Sequence, residues 1–197
     1  MIILSLHGMT KEQFLLEISK NVSKMKATVL AQLAISDHYT MSDLLSLCYH
    51  PQKAIAFRAA WILEFVENKS PDRFIPLLVE FIEQLTHQHN ASCQRHFTKI
   101  LMNYTNRKAK TIRKEAFSHL TTTHKEQVVE RVFEWLIKSE TPVAVRVNCI
   151  EILYNLVPLF PWIKDELNAQ ITFYLKDGSA AMQSRGKKLL MKLLEAS

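Results

Sequence analysis

Apolar residues recur along most of this 197-residue chain at the spacing of helices, and residues 141–161 show the pattern most clearly. Thr141 can cap the N-terminus of a helix, and Pro142 then takes the first helical position, where no N–H is needed. Apolar side chains cover most of the surface of this central helix, and only Asn148, Glu151 and Asn155 form a polar stripe. A helix this apolar is expected to pack against neighbours on two sides.

Cap residues and prolines divide the rest of the chain into helices joined by short turns. The stretches 10–13 and 123–126 read as capping boxes, and a polar break is expected at residues 36–38. Pro76 lies inside a helical stretch and is expected to kink or restart that helix. No useful run alternates with a period of two, so no strand is predicted. The predicted helices begin near residues 11, 22, 41, 52, 71, 91, 106, 124, 142, 161 and 179.

One apolar template, with positions a, a+4, a+7, a+8 and a+11, fits four of the predicted helices. Its copies start at residues 55, 93, 145 and 182, which are 38, 52 and 37 residues apart. The longer interval is explained by one inserted short helix near residues 106–120. A period near 40 with two helices per unit is typical of stacked helical hairpins. The four copies are Ile55, Ala59, Ile62, Leu63 and Val66; Cys93, Phe97, Ile100, Leu101 and Tyr104; Val145, Cys149, Ile152, Leu153 and Leu156; and Met182, Gly186, Leu189, Leu190 and Leu193.

The central copy resembles the second helix of a HEAT repeat, whose pattern is V-R-x-x-A-x-x-A-L-x-x-L. Here the sequence is V145-R146-x-x-C149-x-x-I152-L153-x-x-L156, while Ala56, Gln94 and Gln183 replace the arginine in the other copies. The resemblance implies an all-α fold, a right-handed α-α superhelix of HEAT-like helical hairpins of the armadillo type. Residues 1–197 are expected to form a single all-helical domain, with the clearest repeats at 52–195. An irregular helical bundle is the alternative.

Composition narrows the class of protein further. Forty-eight per cent of the residues are apolar and only three are glycine, which argues against disorder and against an all-β fold. Cys48, Cys93 and Cys149 are an odd set in predicted helices, which favours reduced thiols in a reducing compartment such as the cytoplasm. No apolar run reaches the roughly 18 residues of a membrane span. The first residues do not resemble a signal peptide, and Met9 is an alternative initiator.

Positive charge is concentrated in one part of the chain. The net charge is +6, of which residues 101–150 carry +4. If residues 106–120 are helical, Ile112, Ala116 and Leu120 are expected to point inward, with the cations on the outer face. Such a patch is either the solvated face of a connecting helix or a phosphate-contacting surface. The five residues, called the basic patch below, are Arg107, Lys108, Lys110, Arg113 and Lys114.

Two further constellations have the residue types of a chemical site. His87, His89, Cys93 and His96 have donor atoms that suit zinc, but no second pair has motif spacing, so polar histidines around a buried cysteine are favoured. No metal ion or cofactor is therefore predicted.

The stretch GSAAMQSRGKK, from Gly178, resembles the G-S-S-x-M-P-x-K-x-N loop of the fumarase and adenylosuccinate lyase superfamily. In that family the loop closes over substrate and supplies a catalytic serine. Gly178, Ser179 and Met182 match the loop, but Ala180, Gln183, Arg185 and Lys187 depart from it. The same Gly178 also fits a left-handed helix cap, and the stretch continues the apolar template. No set of catalytic residues can be assembled from motifs elsewhere.

Three functions follow, in decreasing order of support. The first is a non-enzymatic scaffold whose helical surface holds a protein or peptide partner. The second is nucleic-acid binding through the basic patch, of the kind shown by DNA glycosylases with HEAT-like repeats. The third is a lyase-like enzyme, which the departures in the loop argue against.

Overall fold

The computed structural model of the protein describes residues 10–20, 24–35 and 41–195. These residues form α-helices, short 3₁₀ turns and connecting loops, and none of them is in a strand. The all-α prediction is therefore confirmed for this part of the chain. The proposed start at Met9 and the polar break at residues 36–38 lie outside the described residues.

The chain divides into two compact units, and the division falls between Phe97 and Thr98. In the N-terminal unit, α4 packs against α1, α2, α3 and α5. Its interior holds large apolar side chains such as Phe14, Leu63, Phe81 and Phe97. The helices of this unit are α1 (Lys11–Ser19), α2 (Lys24–Ile35), α3 (Met41–Leu47), α4 (Lys53–Lys69), α5 (Pro71–Phe74), α6 (Leu78–Glu83) and the first part of α7 (Ala91–Thr105).

Two local predictions in the N-terminal unit are confirmed. Thr10 and Gln13 form a complete capping box, with the Thr10 N–H donating to Gln13 Oε1 at 2.9 Å and the Gln13 N–H donating to Thr10 Oγ1 at 3.2 Å. Pro76 lies in a 3₁₀ turn, Ile75–Leu77, that separates α5 from α6. Proline cannot donate the intrahelical hydrogen bond, so one long helix is replaced by two short ones.

In the C-terminal unit, α10 is the central element. It packs against α9, α11 and α12, as expected for a helix that is apolar on nearly all sides. The unit consists of the end of α7 together with α8 (Thr111–Ser118), α9 (Thr122–Ile137), α10 (Val143–Leu156), α11 (Ile163–Lys176) and α12 (Ala180–Glu195).

The apolar template correctly identifies the core of four helices. Every template position in α4, α7 and α10 is buried. In α12 the template residues are also buried, except that Leu190 is half-buried. The repeated pattern therefore marks side chains that meet neighbouring helices rather than solvent.

The predicted N-terminal starts of three helices are wrong. Pro142 is the N-cap of α10 with an extended ψ of 146°, so the helix starts at Val143 and Thr141 does not cap it. α11 starts at Ile163 rather than at Pro161. The cap of α9 is Thr121, whose Oγ1 accepts from the His124 N–H at 3.1 Å, so the capping box predicted at residues 123–126 does not form.

Gly178 is not in the left-handed conformation predicted for it. A Cβ atom at this position would lie 2.3 Å from the carbonyl oxygen of Tyr174. The glycine is therefore explained by a close backbone approach and not by a positive φ.

The polar stripe of α10 does not face open solvent. Asn148 is buried and its Nδ2 donates to Thr98 Oγ1 at 3.0 Å. Glu151 and Asn155 are half-buried.

Within the described residues, no helix is both long and apolar enough to cross a membrane.

Candidate functional site

The basic patch begins in a turn and not in a helix. Residues 106–110 form a loop in which Asn106 Oδ1 accepts from the Lys108 N–H at 2.7 Å, and the Ala109 N–H donates to the Asn106 carbonyl at 2.9 Å. Lys110 is the N-cap of α8. Of the five patch residues, Arg107, Lys108, Lys110 and Lys114 are exposed.

The predicted inner face of residues 106–120 is confirmed at Leu120 and wrong at Ile112. Arg113 is 7% exposed and Ile112 is 38% exposed, the reverse of the expectation. Arg113 shares its face with Phe117 and Leu120, which are both buried and follow at four- and seven-residue intervals. Four cations of the basic patch therefore remain available at the surface.

A cavity of about 290 Å³, called the basic cavity below, opens beside this turn. Arg107 and Lys114 of the basic patch line it, and Lys125 of α9 supplies a third cation. Phe117 and Leu159 contribute apolar surface. The remaining lining residues are Tyr104, Thr105, Asn106, Ser118, Asn155 and Leu156.

Two of the cations are held in place by their neighbours. The guanidinium carbon of Arg107 lies 5.6 Å from the centroid of the Tyr154 ring, within the range of a cation–π interaction. Lys125 Nζ donates to the Ser118 carbonyl at 3.0 Å and lies 6.0 Å from the Phe117 ring centroid. Lys114 is exposed at the rim.

An unpaired hydrogen-bond donor also lies at the basic cavity. The Nδ2 atom of Asn155 is buried and has no hydrogen-bond partner. The sequence analysis assigned Asn155 to the polar stripe of the central helix and did not include Lys125 in the basic patch. Neither residue lies near 106–114 in sequence, and only the folding of α9 and α10 against the turn brings them together.

A second cavity, of about 230 Å³, includes the three residues that match the lyase loop. Gly178 makes the close backbone approach to Tyr174, and Ser179 Oγ accepts from the Met182 N–H at 3.4 Å at the start of α12. Met182 is buried. Arg146, also in the lining, donates to the Lys138 and Ser139 carbonyls at 3.0 and 2.6 Å. Each matching residue thus has a structural role in the helix start.

Two residues of the candidate zinc cluster, Cys93 and His96, have other partners. His96 Nδ1 contacts Glu64 Oε2, and Cys93 Sγ donates to the Cys48 carbonyl at 3.7 Å. Burial raises the pKa of Cys93 from 9.0 to about 12, which opposes the thiolate that a metal needs. Across the described ranges, no group of three or more His, Cys, Asp or Glu side chains is placed to hold a metal ion.

Comparison with curated proteins and with solved structures finds no significant match to this chain. A family model described as "HEAT repeat domain" matches residues 14–193. This range contains all four copies of the apolar template, which extend from Ile55 to Leu193. The chain therefore belongs to the HEAT repeat domain family.

Proposed function

We propose that the protein is a non-enzymatic helical-repeat scaffold that binds a protein partner through its C-terminal unit. The observation that carries this proposal is a pair of exposed apolar side chains in the loop between α10 and α11. Leu159 is 55% exposed and lines the basic cavity, and Trp162 is 57% exposed three residues later. Large apolar side chains left in solvent beside cations are typical of protein-binding surfaces.

The geometry of Trp162 supports a role as an anchor. Its ring stacks on Phe133 with a centroid separation of 5.8 Å and an interplanar angle of 20°. A ring held in this way loses little conformational freedom when a partner covers it. Tryptophan and arginine are enriched among the residues that dominate binding energy, and Arg107 lines the basic cavity together with Leu159.

A co-purification from the native host tests the proposal. The tagged wild type is compared with Leu159→Asp/Trp162→Asp and with a matched control, Met191→Asp/Leu194→Asp, which changes two equally exposed side chains of α12. We expect a protein to be retained in stoichiometric amount by the wild type and the control, to be lost with the loop variant, and to resist nuclease. Retention of the same protein by all three chains, or by none, would overturn the proposal.

The finer architecture is also a proposal. We infer a right-handed α-α superhelix of the armadillo type, supported by the family and by the template intervals of 38 and 37 residues on either side of the inserted helix. We expect residues 1–197 to behave as a single domain. Calorimetry tests this, because a single domain gives one transition with equal calorimetric and van't Hoff enthalpies. The three unpaired, buried thiols support a reducing compartment such as the cytoplasm as the place of action.

Nucleic-acid binding, as in DNA repair, is the second candidate, favoured by the four exposed cations of the basic patch. Its test is Arg107→Glu/Lys108→Glu/Lys110→Glu/Lys114→Glu, which leaves Arg113 unchanged because reversing a buried charge would unfold the protein. A nucleic-acid binder would retain a DNA or RNA probe at ~50 mM salt, release it steeply by ~200 mM, and lose it with the variant. A wild type that does not bind the probe at low salt would remove this candidate.

The lyase candidate is tested by measuring the release of fumarate from adenylosuccinate. A protein that releases no fumarate would remove it.

A further inference from the structure

We propose that the basic cavity binds a phosphorylated side chain of the partner protein, with Arg107, Lys114 and Lys125 as the cations that hold the phosphate. This inference rests on the proposed scaffold function and adds the chemistry of the group that is recognised.

The charge of the basic cavity fits a phosphate better than a carboxylate. Three cationic side chains converge on one cavity of about 290 Å³, and none of the described residues that line it is acidic. A phosphate monoester carries a charge of roughly −1.5 to −2 at neutral pH and has three strong acceptor oxygens, whereas a carboxylate has one charge and two oxygens. Arg107 can hold two of those oxygens at once, which a lysine cannot do.

Asn155 is the fourth polar group that the proposal assigns to the phosphate, because it lines the basic cavity and its Nδ2 has no partner. Its buried Nδ2 has two N–H donors and no acceptor in the protein. A buried donor without an acceptor is unfavourable, so an acceptor oxygen in the cavity removes a deficit that the empty protein carries.

The apolar walls indicate what is attached to the phosphate. Phe117, Leu156 and Leu159 form part of the lining and leave room for the carbon atoms of a side chain beside the charged group. The volume is near the lower end of the roughly 300–1,000 Å³ that small-molecule pockets occupy, which suits one side chain.

The charge on α9 argues against a long polyanion as the ligand. The helix that supplies Lys125 also exposes Glu126, Glu130 and Glu134, which share one face at four-residue intervals. A nucleic-acid strand that ran from the basic cavity along this face would meet the carboxylates of Glu126 and Glu130 before that of Glu134, which is paired with Arg131. A short segment of a protein that places one phosphate in the cavity avoids them.

Nuclear magnetic resonance of the ¹⁵N-labelled full chain tests the inference with small probes. The protein is titrated separately with phenyl phosphate, with benzoate, with inorganic phosphate and with a short DNA duplex. Benzoate has the same ring as phenyl phosphate but carries a carboxylate. Asn155→Ala assigns the side-chain amide signals of Asn155. We expect phenyl phosphate to shift those signals and to bind more tightly than benzoate and inorganic phosphate.

Matched variants separate the basic cavity from charge in general. Arg107→Gln/Lys114→Gln should weaken the binding of phenyl phosphate about tenfold or more, since two charge-assisted hydrogen bonds are lost. Lys187→Gln/Lys188→Gln removes the same charge from exposed positions of α12 and should change the affinity less than about twofold. Thermal unfolding by circular dichroism checks that both variants fold.

Three outcomes of the titrations would overturn the inference. They are unshifted Asn155 amide signals, equal weakening by the two variant pairs, and tighter binding of the duplex than of phenyl phosphate at the Asn155 amide. If phenyl phosphate fails while Leu159→Asp/Trp162→Asp still abolishes capture of a partner, the scaffold function stands and the phosphate site is wrong. If a partner that has been treated with phosphatase still forms the complex, the ligand is not a phosphorylated side chain.

Discussion

Leu153 and Asn155 are two residues apart in α10 and have opposite roles. Leu153 is fully buried at a template position, so Leu153→Ala should cost ~2–5 kcal/mol through lost burial and a residual cavity. Asn155→Ala should change the free energy of unfolding by less than about 1 kcal/mol, because the Nδ2 it removes has no partner. Urea unfolding measures both, and equal midpoints for the two variants would contradict the prediction.

The three cysteines should be inert in the folded protein. Burial raises the pKa of Cys48, Cys93 and Cys149, in the case of Cys93 to about 12, so the reactive thiolate stays rare even in mild alkali. With DTNB, raising the pH from ~8 to ~10 should speed the reaction of an introduced, exposed Ser184→Cys thiol but leave the three native thiols slow. Fast reaction of the native thiols without denaturant would show that they are accessible.

Burial of single residues was predictable where they belong to the repeated template. Ile62, Phe97 and Leu153 are buried, as predicted, because the repeated apolar positions mark the face of each helix that packs inward. Arg113 was not predictable, since a charged side chain is normally assigned to solvent. It is buried on the same face of the segment as Phe117, one position along from the exposed Ile112.

At the scale of helices, their existence was predicted better than their ends. The helix break at Pro76 and the capping box at Thr10 are each determined by residues next to one another in sequence, and both predictions are confirmed. At the start of α9 three consecutive threonines offer the same hydroxyl, and the earliest of them, Thr121, is the cap. Where local signals are equivalent, tertiary packing decides, and sequence alone cannot choose.

The two glycines at the C-terminal end should respond oppositely to alanine. Gly178→Ala should destabilise by more than about 1 kcal/mol, because the new Cβ would lie 2.3 Å from the Tyr174 carbonyl oxygen. Gly186→Ala should stabilise by up to about 1 kcal/mol, because the nearest atoms to its Cβ, in Leu175 and Met182, lie 3.4 Å away and alanine favours helix. Thermal midpoints measure both, and a destabilising Gly186→Ala would show that α12 has no room there.

For the whole molecule, the circular dichroism spectrum should be dominated by helix with essentially no sheet signal. The reason is that the described residues form helices from Lys11 to Glu195 without a strand. A strand content comparable to the helix content in solution would contradict the fold.

The fold was predictable from the sequence to a greater extent than the candidate site. The apolar template occurs four times, so the fold prediction does not depend on the interpretation of any single helix. The family match confirms the prediction of HEAT-like repeats. The basic cavity is formed by side chains such as Arg107, Phe117, Lys125 and Asn155, which come from a turn and three helices. No spacing rule links these positions, and only two of its cations were found in advance.

The start of α12 has a consequence for how distant relationships are inferred. Gly178 leaves room for a close carbonyl oxygen, Ser179 Oγ accepts from the Met182 N–H, and the Met182 side chain is buried. These are the three positions shared with the lyase loop. A helix that starts with the same three constraints favours the same residue types without common ancestry. A short shared motif is therefore informative about descent only at positions that its local geometry leaves free to vary.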